Sequence, residues 1–184
     1  DEINTGVYLF DIAALRAASQ KLTADNSQGE LYLTDVMALI KNSGKVAMAI
    51  QSNDFIETLG INDRSQLAEC AGFMRDRIND AHMRNGVTIV DPHTTWIDST
   101  VQISNEVTIL PGSALYGSTR VESGAVIGPR STLMNVEVAE NASIIESRLT
   151  DSKVGARSNV GPFTFIRPGT VLAEDSKVGA FVEM

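Results

Sequence analysis

The sequence predicts an α/β segment that a long helix links to a parallel β-helix. Residues 1–86 alternate between short apolar runs and helical patterns, whereas residues 97–184 carry an aliphatic side chain at nearly every sixth position. A six-residue period is typical of a parallel β-helix, in which three hexads form one triangular coil and each coil buries its apolar face against its neighbours. Two different periods in one chain predict two different architectures.

The aliphatic position of the hexads recurs in two long runs. We expect each such side chain to point inward and to stack on the coil below, with a small or β-branched residue usually following four places later. An antiparallel sandwich has no reason to keep this phase over so many repeats. The inward positions are Ile97, Ile103, Ile109, Leu115, Val121, Ile127 and Leu133, then, after a slip of one residue, Val138 and Ile144, and, after an irregular stretch at residues 146–148, Val154, Val160, Ile166, Leu172, Val178 and Met184.

The first part of the chain reads as alternating strands and helices, which favours an α/β domain. Residues 3–10 and 45–50 are short apolar runs suited to strands. Asp11 and Thr34 are candidate caps for two helices, the second ending near Gly44. These strands are too few for a complete doubly wound sheet.

A long helix is predicted over residues 63–85 and a linker over residues 87–96. Asp63 and Gln66 have the spacing of a capping box, and Asn85-Gly86 is a C-terminal signal. The apolar positions of the helix recur at spacings of four and three, at Leu67, Ala71, Met74, Ile78 and Ala81. The predicted domains are therefore residues 1–86, including the helix, and residues 97–184.

Composition excludes several classes of partner. The formal net charge of −8 argues against nucleic acid, because an acidic chain repels phosphate backbones. The sequence has no apolar run of membrane-spanning length and no signal peptide, so we expect no membrane span. The single cysteine, Cys70, excludes an internal disulfide framework and fits a reducing compartment, which predicts a cytoplasmic protein.

Several motifs, in one order along the chain, resemble a known family. They are Ile3-Asn4-Thr5-Gly6, residues 28–35, residues 60–67, Gly161-Pro162-Phe163, Arg167-Pro168-Gly169 and residues 179–184. Together they resemble the bacterial bifunctional N-acetylglucosamine-1-phosphate uridyltransferase/glucosamine-1-phosphate acetyltransferase. The resemblance implies that the β-helix is left-handed and that the chain is a central fragment, joining the end of the uridyltransferase domain to the start of the acetyltransferase domain.

The resemblance also implies two reactions of UDP-N-acetylglucosamine synthesis. The second domain of the family acetylates glucosamine 1-phosphate from acetyl-CoA, in a site built between subunits of a homotrimer. The first transfers UMP from UTP to N-acetylglucosamine 1-phosphate, releases pyrophosphate and requires Mg²⁺. Acetyl-CoA, UTP, the two sugar phosphates and UDP-N-acetylglucosamine are therefore the expected ligands of the full enzyme.

Three residues match binding residues of the family. The resemblance implies that Asn4 contacts the sugar nucleotide, that Asn62 helps to hold Mg²⁺ and the nucleotide product, and that Arg167 contacts the sugar phosphate. An amide oxygen is an acceptable Mg²⁺ ligand, and a guanidinium binds phosphate oxygens in a fork. The residues alone also allow a strand-end role for Asn4, a helix-capping role for Asn62 with Asp63, and a solvated corner for Arg167.

No catalytic residue is expected within these 184 residues. In the family, the glycine-rich nucleotide loop, the catalytic basic residues and the magnesium-binding Asp precede residue 1, while a Lys ligand and the catalytic His follow Met184. His82 and His93 match no motif of the family. We therefore predict that this chain alone catalyses neither reaction. Alternatives are another sugar-1-phosphate nucleotidyltransferase with a β-helix tail, or a trimerisation module without enzymatic function.

Overall fold

A computed structural model describes residues 3–25 and 27–184 of the chain. The chain forms two compact units, Asp1–Asn62 and Asp63–Met184. The long helix thus belongs to the same unit as the β-helix, whereas the sequence pattern groups it with the first domain. Each unit has its own core and is described by itself.

The described residues of the first unit form two α-helices and one turn of 3-10 helix. These are α1 (Ile12–Ser19), α2 (Leu33–Asn42) and the 3-10 turn Phe55–Thr58. The prediction that Asp11 caps α1 is confirmed, because its Oδ1 accepts a hydrogen bond from the amide of Ala14 at 2.8 Å. The predicted cap at Thr34 is wrong: Tyr32, with an extended backbone, is the N-cap of α2, and its side chain makes no capping bond.

The two helices pack against each other through small and branched side chains. Ala14 and Ala18 of α1 and Val36 and Ile40 of α2 are buried. The small alanine side chains allow the two helices to come close together, and Val36 and Ile40 pack between them. This small cluster is the core of the first unit.

The strands predicted at residues 3–10 and 45–50 do not form. Both segments lack strand structure, and apolar side chains in them face solvent: Leu9 is 101% exposed and Ile50 is 90% exposed. A strand needs a neighbour to pair its backbone amides and carbonyls. Among the described residues of this unit there is no β-strand to supply that neighbour.

The long helix, α3 (Arg64–Arg84), begins and ends where its caps predict. Oδ1 of Asp63 accepts from the amide of Gln66 at 2.8 Å, and Gly86 follows the helix with φ +89°. Its predicted apolar face is mostly open, because Leu67 and Met74 are exposed. Only further along the helix, at Ile78, does that face pack against the β-helix core.

The second unit is a left-handed parallel β-helix of about five coils. Its strands lie in three sheets, one on each side of the triangular coil. The first sheet contains β1 (Thr88–Ile89), β4 (Thr108–Ile109), β7 (Val126–Ile127), β10 (Ser143–Ile144), β13 (Asn159–Val160) and β16 (Lys177–Val178). The second contains β2 (Trp96–Ile97), β5 (Ala114–Tyr116), β8 (Thr132–Met134), β11 (Arg148–Thr150) and β14 (Phe165–Ile166). The third contains β3 (Gln102–Ile103), β6 (Arg120–Val121), β9 (Glu137–Val138), β12 (Lys153–Val154) and β15 (Val171–Leu172).

The parallel β-helix predicted from the hexads is confirmed. Each strand pairs in parallel with the strand of the next coil, so that Ile109 lies in register with Ile127 and Ile127 with Ile144. These three side chains are fully buried. Two of the predicted inward positions are less covered: Ile103 is partly buried, and Met184 is 45% exposed, since no further coil of the described chain covers it.

Shortened corners explain the irregular repeats. Leu149, five residues after Ile144, fills the inward position that the hexad pattern leaves empty, and it is fully buried. The corners that lose a residue turn through a left-handed backbone at Asn135, Glu146 and Asp151, with φ between +42° and +55°. The inward side chains therefore stay stacked while the chain between them becomes shorter.

The first coil begins inside the segment predicted to be a linker, residues 87–96. β1 pairs with β4 there, and Val87 and Ile89 enter the core. Asn79 of α3 is fully buried and donates from Nδ2 to the carbonyls of Pro92 at 2.9 Å and Thr95 at 3.0 Å. These bonds tie the end of α3 to the first coil.

Candidate functional site

Arg167 follows β14 on the outer face of the second sheet. Its Nε and Nη2 both donate to Oε1 of Glu183, at 2.9 and 2.5 Å. Its amide donates to the carbonyl of Met184 at 2.7 Å, which holds the backbone of Arg167 beside the last residues of the chain. The structure thus gives Arg167 an exposed guanidinium whose first partner is a carboxylate of the next coil.

A groove of about 570 Å³ lies on the same outer face, and we call it the second-sheet groove. Charged and aromatic side chains line it. The guanidinium of Arg130 forms an ion pair with Glu146, and the rings of Phe163 and Phe181 stack with their centroids 5.3 Å apart. Glu183, the hydrogen-bond partner of Arg167, also lines the groove, so Arg167 contacts one of the residues that form it.

Arg148 projects from the floor of the groove. It stands in register with Phe165 of the neighbouring strand, and its guanidinium carbon lies 5.9 Å from the centroid of that ring. Such a placement is a cation–π contact, which favours one position of an otherwise mobile side chain. Phe165 in turn forms a parallel bridge with Glu183. Arg148, Phe165 and Glu183 therefore form one column up the sheet.

Two Gly-Pro corners directly precede residues that line the groove. Gly128-Pro129 precedes Arg130, and Gly161-Pro162 precedes Phe163. Gly161 has φ +104°, and a Cβ added there would strike the carbonyl oxygen of Ile145 in the coil below. Glycine is therefore required where this corner passes so close to its neighbour.

Sequence reasoning singled out Arg167 and missed Arg130, Glu146 and Arg148. The repeated Gly-Pro pair, each time directly after an inward aliphatic residue, was the available signal that the two corners belong to the same edge of the β-helix, with the corner at Glu146 between them. Arg148 gives no such signal, because it lies in the irregular stretch where the hexad phase was lost.

Asn4 and Asn62 lie in the first unit, and both are exposed. Nδ2 of Asn4 donates to the hydroxyl of Tyr8 at 2.6 Å, and its Oδ1 accepts from the amide of Gly6 at 3.0 Å. Asn62 directly precedes Asp63, the N-cap of α3. The roles that the resemblance implies for these two residues stay predictions.

Asn62 and Asp63 do not by themselves fit a magnesium site. Oδ1 of Asp63 already caps α3, and an amide oxygen serves Mg²⁺ chiefly beside carboxylates. Residues 3–25 and 27–184 contain no cluster of three or more His, Cys, Asp or Glu side chains that could hold a metal ion. Asn62 and Asp63 therefore supply at most one part of a magnesium site.

The two histidines lie near the junction of α3 and the first coil. Burial lowers the pKa of His82, which is half-buried. Nδ1 of His93 lies 3.5 Å from Nη2 of Arg75, whose guanidinium also lies over the ring of Trp96 at 5.2 Å. These contacts link the helix to the β-helix.

Among the helices in the described ranges, none combines the length and hydrophobicity needed to cross a membrane.

The chain is similar to bifunctional GlmU proteins along almost its whole length. It is 50% identical over 182 residues to bifunctional protein GlmU of Paenarthrobacter aurescens, covering 99% of this chain and 37% of that protein. The GlmU proteins of Corynebacterium diphtheriae and Mycolicibacterium smegmatis are each 48% identical over 182 residues, covering 99% of this chain and 38% of those proteins. The chain thus spans less than two fifths of the length of these relatives. The resemblance stated from the motifs is confirmed.

The β-helix is also found in a distant solved structure. The H141N mutant of perosamine N-acetyltransferase from Caulobacter crescentus, solved with CoA and GDP-perosamine, matches with a TM-score of 0.51 at 17% identity. The match covers 60% of this chain and 57% of that one, and it shows a shared fold. No protein-family profile matches the chain.

Proposed function

Because the chain matches bifunctional GlmU proteins along 99% of its length, we propose that it is a segment of an enzyme that makes UDP-N-acetylglucosamine in two steps. The enzyme first transfers an acetyl group from acetyl-CoA to glucosamine 1-phosphate. It then transfers UMP from UTP to N-acetylglucosamine 1-phosphate. The match over both units of the chain is the single observation that carries this proposal.

The β-helix would contribute to acetyl transfer by binding the sugar phosphate. In that reaction the amine of glucosamine 1-phosphate attacks the thioester carbonyl of acetyl-CoA, the carbon–sulfur bond breaks, and the amine loses a proton to a general base. Arg167 supplies a forked donor suited to phosphate oxygens. It binds and orients the acceptor, while the base is a residue that this chain does not contain.

The neighbouring fold makes acetyl-CoA a reasonable donor. Perosamine N-acetyltransferase, which shares the β-helix, was solved with CoA and a sugar nucleotide. At 17% identity the two chains share the fold and no residue-by-residue correspondence. In the proposed enzyme the β-helix assembles as a homotrimer, and the acetyl-transfer site is completed between subunits.

The first unit would contribute to uridyl transfer through Asn4 and Asn62. Asn4 would contact the sugar nucleotide, since its amide can both donate and accept hydrogen bonds. Asn62 would supply one oxygen near the N-terminus of α3, where the helix dipole favours phosphate groups. Mg²⁺, when bound, would neutralise phosphate charge, with its carboxylate ligands coming from residues that this chain does not contain.

The isolated chain is proposed to catalyse neither reaction. Pyrophosphate release from UTP and N-acetylglucosamine 1-phosphate with Mg²⁺ tests this for uridyl transfer, comparing the chain with a version extended upstream by a nucleotide-binding domain. Thiol release from acetyl-CoA with glucosamine 1-phosphate tests acetyl transfer, using a version extended downstream.

Activity in the extended proteins alone supports the proposal. Turnover by the short chain at a comparable rate would mean that its active sites consist of other residues. Activity of neither extended protein, when each is folded, would overturn the assignment to this pair of reactions.

A further inference from the structure

We propose that Arg148 is a second phosphate-binding arginine of the site marked by Arg167, and that Phe165 holds its guanidinium in place. The inference rests on the proposed function, because it names a further residue that contacts the same sugar phosphate. The phosphate bound by Arg167 would then also contact the second-sheet groove, through Arg148.

The register of the second sheet brings the two arginines to one place. Arg148 pairs with Phe165, and Leu149 with Ile166, which puts Arg167 diagonally across from Arg148 on the next strand. Leu149 and Ile166 are buried, so their sequence neighbours Arg148 and Arg167 share the outer face. With strands about 4.8 Å apart and a rise of about 3.3 Å per residue, the two backbone positions lie about 8 Å apart. Two long guanidinium side chains can reach one phosphate from there.

The charges of the groove leave Arg148 available. Arg130 is paired with Glu146, and Arg167 is paired with Glu183. Within the described part of the chain, Arg148 has a ring contact with Phe165 but no carboxylate partner. Beside the paired Arg130 and Arg167, a guanidinium without a carboxylate partner favours an anionic ligand in the groove.

Phe165 makes Arg148 a positioned donor. The ring lies against the guanidinium, with its centroid 5.9 Å from the guanidinium carbon, and both side chains line the groove. Restricting the side chain before binding reduces the entropy lost on binding. Exposed Phe163 and Phe181 form an apolar wall beside it, suited to the less polar face of a sugar ring.

Glu183 lies in the coil that follows Phe165, on the side away from Arg148, and there it accepts hydrogen bonds from Arg167. Phe165 is in register with both Arg148 and Glu183, so Arg167 has Arg148 on one diagonal and Glu183 on the other. A phosphate placed toward Arg148 would replace Glu183 as the acceptor for the fork of Arg167. The phosphate would then be bound by two guanidinium groups, and Glu183 would return to solvent.

Titration of the chain with glucosamine 1-phosphate, followed by the ³¹P chemical shift, tests the inference. Arg148→Met keeps the length of the side chain and removes its charge, and we expect it to weaken binding about tenfold, the usual effect of losing one charge-assisted hydrogen bond. Arg148→Lys restores part of the affinity, and Phe165→Leu weakens binding less than Arg148→Met does. Arg120→Met, on the third sheet, is the matched control and leaves the affinity unchanged.

The outcomes separate this inference from the proposed function. Loss of binding in Arg167→Met together with unchanged binding in Arg148→Met overturns the role of Arg148 and leaves the proposed function standing. Equal binding by all variants, or no saturable shift in the wild-type chain, overturns the inference about Arg148. Thiol release by the version extended downstream decides the proposed function separately. A weakening in Arg148→Met that also appears with glucosamine, which has no phosphate, shows a general structural role and overturns the phosphate contact.

Discussion

The guanidinium of Arg157 donates two hydrogen bonds to the carboxylate of Asp175 in the next coil, with Nε 2.9 Å from Oδ1 and Nη2 3.0 Å from Oδ2. Nη2 also reaches Glu174 at 2.8 Å. Both Arg157 and Asp175 have a left-handed backbone, with φ near +56°, so equivalent corner residues of successive coils stack and place the two charges together. A coil corner here is thus joined to the next by side chains as well as by the strands.

The Arg157–Asp175 contact should make stability depend on acid pH. The hydrogen bonds from Arg157 lower the pKa of Asp175 below its usual value. The stabilisation is fully present above the pKa of an unfolded Asp, about 3.9, and is lost as pH falls through the lower pKa of the folded state. We expect Asp175→Asn to lower the melting temperature by about 1–3 °C at pH 7, because an exposed ion pair contributes little.

The difference between wild type and Asp175→Asn should shrink in acid, as the pH falls through the lowered pKa of the folded Asp175, because the protonated carboxyl no longer carries the charge that pairs with Arg157. Thermal unfolding followed by circular dichroism at neutral and at acid pH measures it. Glu140→Gln, which removes an exposed acid without an ion pair among the described residues, serves as the control. A difference that persists at low pH would show that the ion pair is not its cause.

Leu149 should be as important to the core as the regular hexad positions. It is fully buried between Leu133 and Ile166 of the neighbouring coils. Leu149→Ala should lower the free energy of unfolding by about 2–5 kcal/mol through lost burial and the cavity left behind. Val171→Ala is the control, because Val171 is 70% exposed and should change stability by less than about 1 kcal/mol. Urea unfolding compares them, and equal effects would contradict the assignment of Leu149 to the core.

Gly155 and Gly179 offer a matched test of close packing between coils. Each follows a buried valine, and neither has a left-handed backbone. A Cβ at Gly155 would lie 2.5 Å from the carbonyl carbon of Ala173, whereas a Cβ at Gly179 would meet nothing within 4 Å. Gly155→Ala should therefore destabilise the chain by about 1–3 kcal/mol, and Gly179→Ala by less than about 0.5 kcal/mol.

Chemical unfolding of the two alanine variants measures this difference. Because helix and strand propensity change in the same way in both, the comparison isolates the steric term. Similar stabilities of the two variants would mean that the coils move apart at Gly155 without cost.

Glu183 should compete with phosphate for Arg167. Glu183→Gln removes the negative charge that holds Nε and Nη2 of Arg167, so the chain should bind glucosamine 1-phosphate more tightly, by about threefold. Glu174→Gln, which weakens a similar pair at Arg157, should leave the affinity unchanged. The ³¹P titration provides the measurement, and weaker binding in Glu183→Gln would show that Glu183 positions Arg167 for the ligand instead of blocking it.

The β-helix could be predicted from the sequence because its period is a property of single residues. Each inward side chain, such as Ile109 or Ile127, meets another from the next coil, and this requirement repeats along the chain. Capping is equally local, which is why Asp11 and Asp63 were identified. Leu149 was missed because its position depends on two shortened corners, at Glu146 and Asp151, that no local pattern announces.

The strands predicted in the first unit failed for a non-local reason. Residues 3–10 and 45–50 have the composition of strands, yet a strand forms only where another strand pairs with it. Composition does not reveal whether that partner is present. The same holds for the candidate site. A local motif was enough to predict Arg167, whereas the place of Arg148 depends on its pairing with Phe165, seventeen residues further along the chain.

Because of the shortened corners, the number of residues in a coil varies while the stacking of its inward side chains stays the same. From Ile109 to Ile127 the chain takes eighteen residues to complete one circuit, from Ile127 to Ile144 seventeen, and from Ile144 to Val160 sixteen, yet all four side chains belong to one ladder. Deletions at a corner are therefore absorbed where they occur and do not pass to the next coil. Single corner residues can therefore be gained or lost without a compensating change elsewhere, because the inward side chains stay in register.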